Sequence, residues 1–470
     1  MLLKRHHALL PDDLPSRLTP RNGGRDGKSG HDGASSPLPR AVNEDYLYPM
    51  ISVEEAQERI LRSFHPLEPE RVSLFDALGR VLAEDIFADV SVPPLDNTAM
   101  DGYAVRAADT RGASPEHPAI LRVVYDLAAG YVSDIAVTPG TAMRIMTGAP
   151  IPEGADAVVP FEETDEKSPQ PRPSPGRGGE GGEVRVFQEA KVGANIRRAG
   201  EDIRQGERVL AAGSLVRPAE VGVLASVGRA TVLCPRRPRV AILATGDELV
   251  EIEQKPGPGQ IRNSNNYTLA AAVQRDGGVP LLLGIARDRL EELTAKIRHG
   301  LSKGADLLIT SGGVSVGDFD VVKTVLATEG EITFWRVRMK PGKPLAFGHI
   351  KGVPHLGLPG NPVSSLVSYE LFARPAILRM LGQSHFHRPE VEATLLDAIP
   401  HKDGRRHYVR VIVQKEDGGY TARLTGEQGS GILTSMAKAN GLAIIPEEAN
   451  SLAPGARVGV MLLDWPEQVF

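Results

Sequence analysis

One run of this chain, residues 305 to 344, carries the residue types and spacing of a site for a phosphorylated or oxyanionic ligand. Gly312, Gly313 and Gly317 alternate with Ser311 and Ser315 directly after a compact apolar stretch, Asp306 to Thr310. Glycines there let backbone N–H groups approach a ligand closely. A helix N-terminus fed by such a loop is a natural anion seat. Asp318 and Asp320 place carboxylates at the same seat, which makes most sense with a hard cation such as Mg²⁺ between acid and anion. At the far end Lys340 and Lys343 bracket Pro341 and Gly342, and Pro344 follows. A proline-stiffened turn holds both ammonium groups with little conformational freedom left to lose. No G-K-[ST] closes the glycine loop, so it is not an ordinary P-loop. The bland alternative is a strand–turn–helix unit with a solvated basic turn; loop, acids and lysine pair together favour a site.

The elements around this run alternate between strand and helix from Arg239 onward. RVAILATGDELV reads as a buried strand ending in Thr245, Gly246, Asp247 and Glu248, and NSNNYTLAAAVQRDGG as a capped helix stopped by Gly277 and Gly278. Pro280 to Ile285 reads as a strand ending at Arg287-Asp288, followed by the helix LEELTAKIRHGLSKG. Val321, Val322, Val325 and Leu326 form a helical stripe opened by Asp318, and a last helix spans Val363 to about Leu381. Strands regularly separated by helices predict a parallel sheet with right-handed crossovers. Ligands of such sheets bind at the carboxyl ends of the strands. Four such ends carry the polar residues: Asp247 and Glu248; Asp288; Ser315, Asp318 and Asp320; Gly360, Asn361 and Ser364. Chance would scatter them.

The length of 470 residues suggests three or four domains, and 41% hydrophobic residues are ample for their cores. A net charge of −5 argues against a general nucleic-acid surface. The single cysteine, Cys234, excludes an intrachain disulfide and a cysteine-rich zinc site. No stretch of 18 apolar residues predicts a membrane span, so a soluble, cytoplasmic protein is expected. Residues 1–48 are rich in Gly, Ser and charge and are expected to be a disordered extension; Met50, just before the first helical stretch, is a second candidate start.

That stretch, SVEEAQERILRSF, has a Ser52/Glu55 capping box and an apolar stripe of Val53, Ala56, Ile60, Leu61 and Phe64. VSLFDALGRVLAEDI predicts a second helical patch ending near Gly79. In SVPPLDNTAMDGYAV, the residues Asp96, Asn97, Thr98 and Asp101 form either paired Asx turns or a polar cluster. Short apolar runs from Ile120 to Val186 predict a small β domain, in which Thr147-Gly148 is a turn first and a ligand contact second. A Pro/Gly-rich surface loop, about 165–183, interrupts it and is expected to be flexible. Arg197, Arg198, Glu201 and Asp202 around Gly200 read as a solvated charged turn. Alternation from 388 to 470 predicts a small β barrel or sandwich in which no catalytic constellation stands out; Gly429, Ser430 and Gly431 turn a corner first and approach a ligand second.

PPLDNTAMDGYAV, MTGAPIPEGADAVV, NIRRAGEDI, TGDEL, SGGVSVGDFD, MKPGKPLAFG and GLPGNPVSS, in this order, closely resemble the molybdopterin molybdenumtransferases, including the E domain of gephyrin. The resemblance runs from about Val53 to the C-terminus. It implies an α/β plus β multidomain fold: a discontinuous linker domain (49–94 and 188–234), a β-rich domain (95–187), a central three-layer parallel-sheet α/β domain (235–384) and a C-terminal small β barrel (385–470). It implies an elongated homodimer with the cleft between the α/β domain of one subunit and the β-rich domain of its partner. The implied reaction inserts molybdate into adenylylated molybdopterin with Mg²⁺-dependent release of AMP, forming molybdenum cofactor. Other proteins of cofactor assembly are implied as partners.

The family's functional positions fall on Asp101, Thr147, Asp202, Glu248, Asp288, Asp320, Lys340, Pro359 and Pro362. Ser315, Asp318 and Lys343 lie in the same motifs. The glycine loop (Gly312, Gly313, Ser315, Gly317), with Thr147, Pro359, Asn361 and Pro362, would bind substrate. Glu248, Asp288, Asp318 and Asp320 would hold Mg²⁺. Asp101, Asp202, Lys340, Lys343 and Arg336 would carry the chemistry, the cations by holding molybdate or neutralising phosphoryl charge. Arg336 stands where the family often has Lys after the Trp, exchanging a point charge for a fork; Thr98 stands where Ser is frequent. Two other readings remain: the adenylyltransferase that makes the substrate, which usually carries a G-G-T-G-type loop, and a non-catalytic scaffold.

Overall fold

A computed structural model describes residues 50–166, 182–313 and 330–465. The expected extension at 1–48, most of the Pro/Gly-rich loop, and Ser315, Gly317, Asp318 and Asp320 with the helix from Val321 to Leu326 lie outside the described residues.

Seven strands form the central sheet, in the order Met50–Ile51, Gly330–Val337, Pro344–Ile350, Val353–Leu358, Leu307–Ser311, Arg239–Thr245 and Val279–Ala286. Along Arg239–Thr245 the buried side chains alternate between two cores. Val240 and Ile242 join the helices Asn265–Arg275 and Pro362–Ser368 on one face. Ala241 and Leu243 join Leu293 and Ile297 of the helix Leu290–Ser302 on the other. This period of two, with helices on both faces, makes three layers. Each fully buried Leu or Ile contributes about 1.5–3 kcal/mol.

The sheet is mixed rather than all parallel. Pro344–Ile350 runs against both of its neighbours, while the other strand pairs are parallel. The cause is local: Lys351 and Gly352 adopt φ of 50° and 83°, and a two-residue turn with both φ positive folds adjoining strands into a hairpin. No crossover helix fits between LAFGHI and VPHLGL.

The opening helix, Val53–Leu61, is capped by Ser52 Oγ, which accepts from the Glu55 N–H at 3.1 Å. Its buried Val53, Ala56 and Ile60, with Phe64, pack in the same core as Val240 and Ile242. Met50 and Ile51 pair with Arg336 and Val337. This part of the 49–94 segment therefore sits on the central sheet, whereas Ala77, Leu82 and Ile86 share a separate core with Val216, Leu224 and Cys234. Strands Pro69–Ser73 and Thr231–Pro235 pair beside that second core.

Ala157–Pro160, Gly102–Val105, Thr141–Ile145, Ala119–Leu127 and Glu183–Val186 form the five-stranded sheet of the β-rich region. Buried Arg144 ion-pairs there with Asp126 and Glu166. In the C-terminal region Arg406–Glu416, Gly419–Leu424, Glu390–Leu395, Arg457–Leu462 and Gly441–Ile445 close back on Arg406–Glu416, so barrel rather than sandwich is the outcome. Met339–Lys340 pairs in parallel with Arg406–His407 and ties the lysine turn to the barrel. Among the described residues no helix is long and apolar enough to cross a membrane.

Candidate active site

The carboxyl ends of Arg239–Thr245, Leu307–Ser311 and Val353–Leu358 open onto a cavity of about 640 Å³. Gly312, Gly313, Pro359, Asn361, Pro362, Glu248 and Asp288 all line it, although they come from four separate stretches of sequence. Gly312 has φ of +98°, and a Cβ there would stand 2.6 Å from the Thr245 carbonyl oxygen. Only glycine lets these two strand ends approach so closely.

Sequence reasoning missed the other wall, formed by Ile261, Arg262, Asn263, Ser264 and Asn265. Asn265 Nδ2 donates to Ser311 Oγ at 2.6 Å and to the Gly360 carbonyl at 2.7 Å, binding a helix start to two strand ends. Asn263 Oδ1 accepts from the Asn266 N–H at 3.2 Å, capping that helix, while its buried Nδ2 has no hydrogen-bond partner. An unpartnered buried amide costs about 1–3 kcal/mol, and here it borders the cavity. The signal was the run Asn263-Ser264-Asn265-Asn266: more amides than one cap needs.

Three carboxylates cluster at one end. The Asp288 N–H donates to Asp247 Oδ1 at 3.3 Å, and Arg287 donates to the Asp247 carbonyl. Burial raises the Asp288 carboxyl above the usual range, and the charges of Asp247 and Glu248 push it further up. The Glu248 carboxylate folds against Gly246, so a Cβ there would meet Glu248 Oε2 at 2.4 Å. Hard oxygen donors that repel one another suit a divalent cation such as Mg²⁺.

A second cavity, of about 340 Å³, adjoins the first through Pro344 and Ser364, which line both. Its wall includes Lys340, Lys343, Arg405, His407, Arg410 and Ser430. Gly342, at φ of +102°, lets the lysine turn settle on the core: a Cβ there would lie 2.8 Å from Met339 Cε and from Ser368 Oγ. The barrel thus contributes cations, and Ser430 borders the cavity, the second of its two readings. These arginines were hidden because strand alternation alone does not reveal which barrel face meets the lysine turn.

Asp101, Thr147, Asp202 and Arg336 line neither cavity. Asp101 Oδ1 accepts from both the N–H and the Oγ1 of Thr147, each at 2.7 Å. Asp96 accepts from the Ala199 N–H at 2.8 Å and from Arg198 at 2.6 Å; these contacts lower its carboxyl pKa. The turn holding Asp202 is therefore clasped to the Asp96 loop, and Asp202 donates its N–H to the Val92 carbonyl at 3.1 Å. Arg336 pairs in register with Pro344 and Met50. Among the described residues, the His/Cys/Asp/Glu group spaced for a metal is His401, Asp403 and His407. Both ring nitrogens of His401 face carbonyl oxygens, of Ala449 at 2.6 Å and of Arg405 at 2.7 Å, so each is already occupied by a hydrogen-bonding neighbour rather than turned towards Asp403 and His407.

A multidomain protein with an α/β ligand-binding module between a β-rich region and a barrel is what the fold and cavities define. Residues 51–228 match the MoeA N-terminal region (domain I and II), 241–379 a probable molybdopterin binding domain, and 392–463 the MoeA C-terminal region (domain IV). Molybdopterin molybdenumtransferase 2 of Mycobacterium tuberculosis is 39% identical over 417 residues, covering 87% of this chain and 99% of the relative. The molybdopterin molybdenumtransferase of Bacillus subtilis is 37% identical over 426 residues, 89% and 97% of the two chains. The crystal structure of a molybdopterin biosynthesis MoeA protein from Pyrococcus horikosii superposes with a TM-score of 0.74 at 33% identity, covering 88% of this chain and 100% of that one. The chain belongs to the molybdopterin molybdenumtransferase (MoeA) family.

Proposed function

We propose that this protein inserts molybdate into adenylylated molybdopterin, with Mg²⁺-dependent release of AMP. One observation carries the reading: an acid-ended cavity at the strand ends adjoins a cation-walled cavity through Pro344 and Ser364. Two reactants of different chemistry, a nucleotide-linked pterin and a small dianion, match two joined chambers of different charge.

In the larger chamber the helix starting at Asn265 and the one starting at Pro362 turn their N-termini to the cavity, where a pyrophosphate is favoured. Gly312 and Gly313 keep the backbone open for it, and the spare Asn263 amide offers a donor. Glu248, Asp288 and neighbouring Asp247 would hold Mg²⁺, together with Asp318 or Asp320. Bound there, the ion would supply Lewis-acid polarisation of a phosphoryl group. Lys340, Lys343, Arg405 and Arg410 would hold molybdate in the smaller chamber.

A homodimer belongs to this reading. Phe75 is 86% exposed, Leu78 three residues on is exposed too, and so is Leu215, which bridges to Val81. Apolar surface of this kind favours a partner subunit. A partner would also give Asp101, Thr147 and Asp202 a site to act on, since they line neither cavity of their own chain. The cytoplasm is the proposed compartment, where other proteins of cofactor assembly would supply the adenylylated pterin.

The test is AMP release from purified adenylylated molybdopterin with Mg²⁺, with and without molybdate. The reading expects molybdate-stimulated AMP release without ATP consumption. ATP consumption with pyrophosphate release would identify an adenylyltransferase instead, and tight pterin binding without turnover would identify a scaffold.

A further inference from the structure

Asp403 touches three side chains that line the smaller cavity, the cations Lys340 and Arg405 and the imidazole of His407, yet it does not line the cavity itself. Its Oδ2 lies 2.6 Å from Arg405 Nη2 and 3.4 Å from Lys340 Nζ, and its Oδ1 lies 2.8 Å from His407 Nε2. The loop 401–405 that carries it is fastened from behind. The two ring nitrogens of His401 lie within hydrogen-bond distance of the Ala449 and Arg405 carbonyls, at 2.6 and 2.7 Å, and the Ser451 hydroxyl accepts from the His401 backbone N–H at 3.2 Å. The carboxylate is therefore held in place independently of any ligand.

We propose that Asp403 is a built-in counter-ion that competes with the bound oxyanion for Lys340 and so keeps oxyanion binding reversible. The inference rests on the reading of this cavity as the molybdate chamber. Of the three contacts the one to Lys340 is the longest, and the Lys340 side chain is 53% exposed against 28% for Arg405 and 8% for His407. Lys340 is thus the cation most easily transferred, while Arg405 and His407 keep Asp403 anchored. A dianion entering the cavity takes Lys340 from Asp403, and a dianion leaving returns it.

Chemistry makes such a device useful. The oxyanion is a co-substrate that has to pass from this cavity into the neighbouring one past Pro344 and Ser364. A rim of uncompensated cations would hold a dianion too firmly to release it, whereas a fixed carboxylate behind the rim lowers the attraction without filling the space. Asp403 is a positioning residue in this scheme: it acts through Lys340 and touches no reactant. Burial opposes its ionisation, but hydrogen bonds from Arg405 and His407 outweigh that and hold it well below the usual carboxylate range, so the counter-charge persists at every pH of interest.

The experiment is molybdate titration by calorimetry on the full-length wild type, Asp403→Asn, Asp403→Ser, Asp403→Glu and Lys343→Ala, followed by steady-state AMP release. Loss of one counter-charge should tighten molybdate binding about threefold to tenfold in both the Asn and Ser variants, and lower KM and kcat together. Asp403→Glu, which restores the charge, should return both towards wild type. Unchanged or weaker binding in a folded Asn or Ser variant overturns the inference while leaving the chamber reading intact. Failure of the wild type to bind molybdate, with Lys343→Ala indistinguishable from it, overturns both.

Discussion

Asn265 and Ser311, 46 residues apart, are joined by a 2.6 Å hydrogen bond from the Asn265 amide to the Ser311 hydroxyl. The same amide donates to the Gly360 carbonyl at 2.7 Å, so a single side chain fixes a helix start against two strand ends. Asn265→Ala removes both bonds and should cost roughly 1–3 kcal/mol of stability. Chemical denaturation should show the lower midpoint with an unchanged slope. Affinity for the adenylylated pterin should fall about tenfold or more, because misplacing the glycine loop removes the seat as well as the bond. A stable variant with wild-type affinity would show that the seat is set elsewhere.

Asp288 gives a prediction with a definite sign. Its folded carboxyl is raised by burial and by Asp247 and Glu248, so between its ordinary and its raised pKa the native state binds more protons than the unfolded chain. Stability from this group is therefore present at acid pH and is lost as pH rises through the raised value. At neutral pH Asp288→Asn should melt higher than the wild type in the absence of divalent ions. Adding Mg²⁺ should raise the wild-type melting temperature and leave the variant's unchanged. A lower melting temperature for the variant would contradict the electrostatic account of this corner.

The separation of Asp101 and Thr147 from both cavities predicts intersubunit complementation. If the proposed homodimer shares its sites, Asp101→Ala and Asp288→Ala should each be inactive when purified alone. Mixed by co-expression, half the dimers would be mixed and one of their two sites intact, giving about a quarter of wild-type activity for a C2 dimer with shared sites. Activity no greater than that of the single variants would mean that each subunit works alone.

Much of this arrangement was legible in the sequence. The glycines after an apolar run, and acids recurring at strand ends, depend on local backbone requirements that residue types reveal directly. Glu248, Asp288, Gly312 and Asn361 reach one cavity for that reason. The reversal of Pro344–Ile350 was less legible, because its signal is one Lys-Gly pair whose positive φ values are unremarkable until strands flank them. Asn263 and Asn265 were hidden behind their role as helix-cap formers, since capping and ligand binding use the same side-chain chemistry. Arg405, His407 and Arg410 were invisible for a different reason: their role depends on Met339–Lys340 pairing with Arg406–His407, a long-range contact no local pattern encodes.

His355 sits in the strand leading to Pro359, fully buried, with Nε2 2.9 Å from Thr310 Oγ1. Burial pushes its pKa down to about 3, so the native state keeps it neutral where the unfolded chain would protonate. The unfolded state then binds the extra proton between the ordinary histidine value and about 3, and stability falls as pH drops through that window by up to about 1.4 kcal/mol per unit. Urea titrations from pH 7 to pH 4 should show this slope in the wild type and a shallower one in His355→Asn. Equal slopes would place the acid sensitivity elsewhere.

Two joined chambers divide the reactants between them in this reading, and anomalous diffraction at the molybdenum edge, from crystals soaked in molybdate, tests that division most directly. A single peak between Lys340, Lys343 and Arg405, absent in Lys343→Ala crystals, is the predicted result. A peak instead beside Glu248 and Asp288, or none at occupancies that saturate turnover, would contradict it.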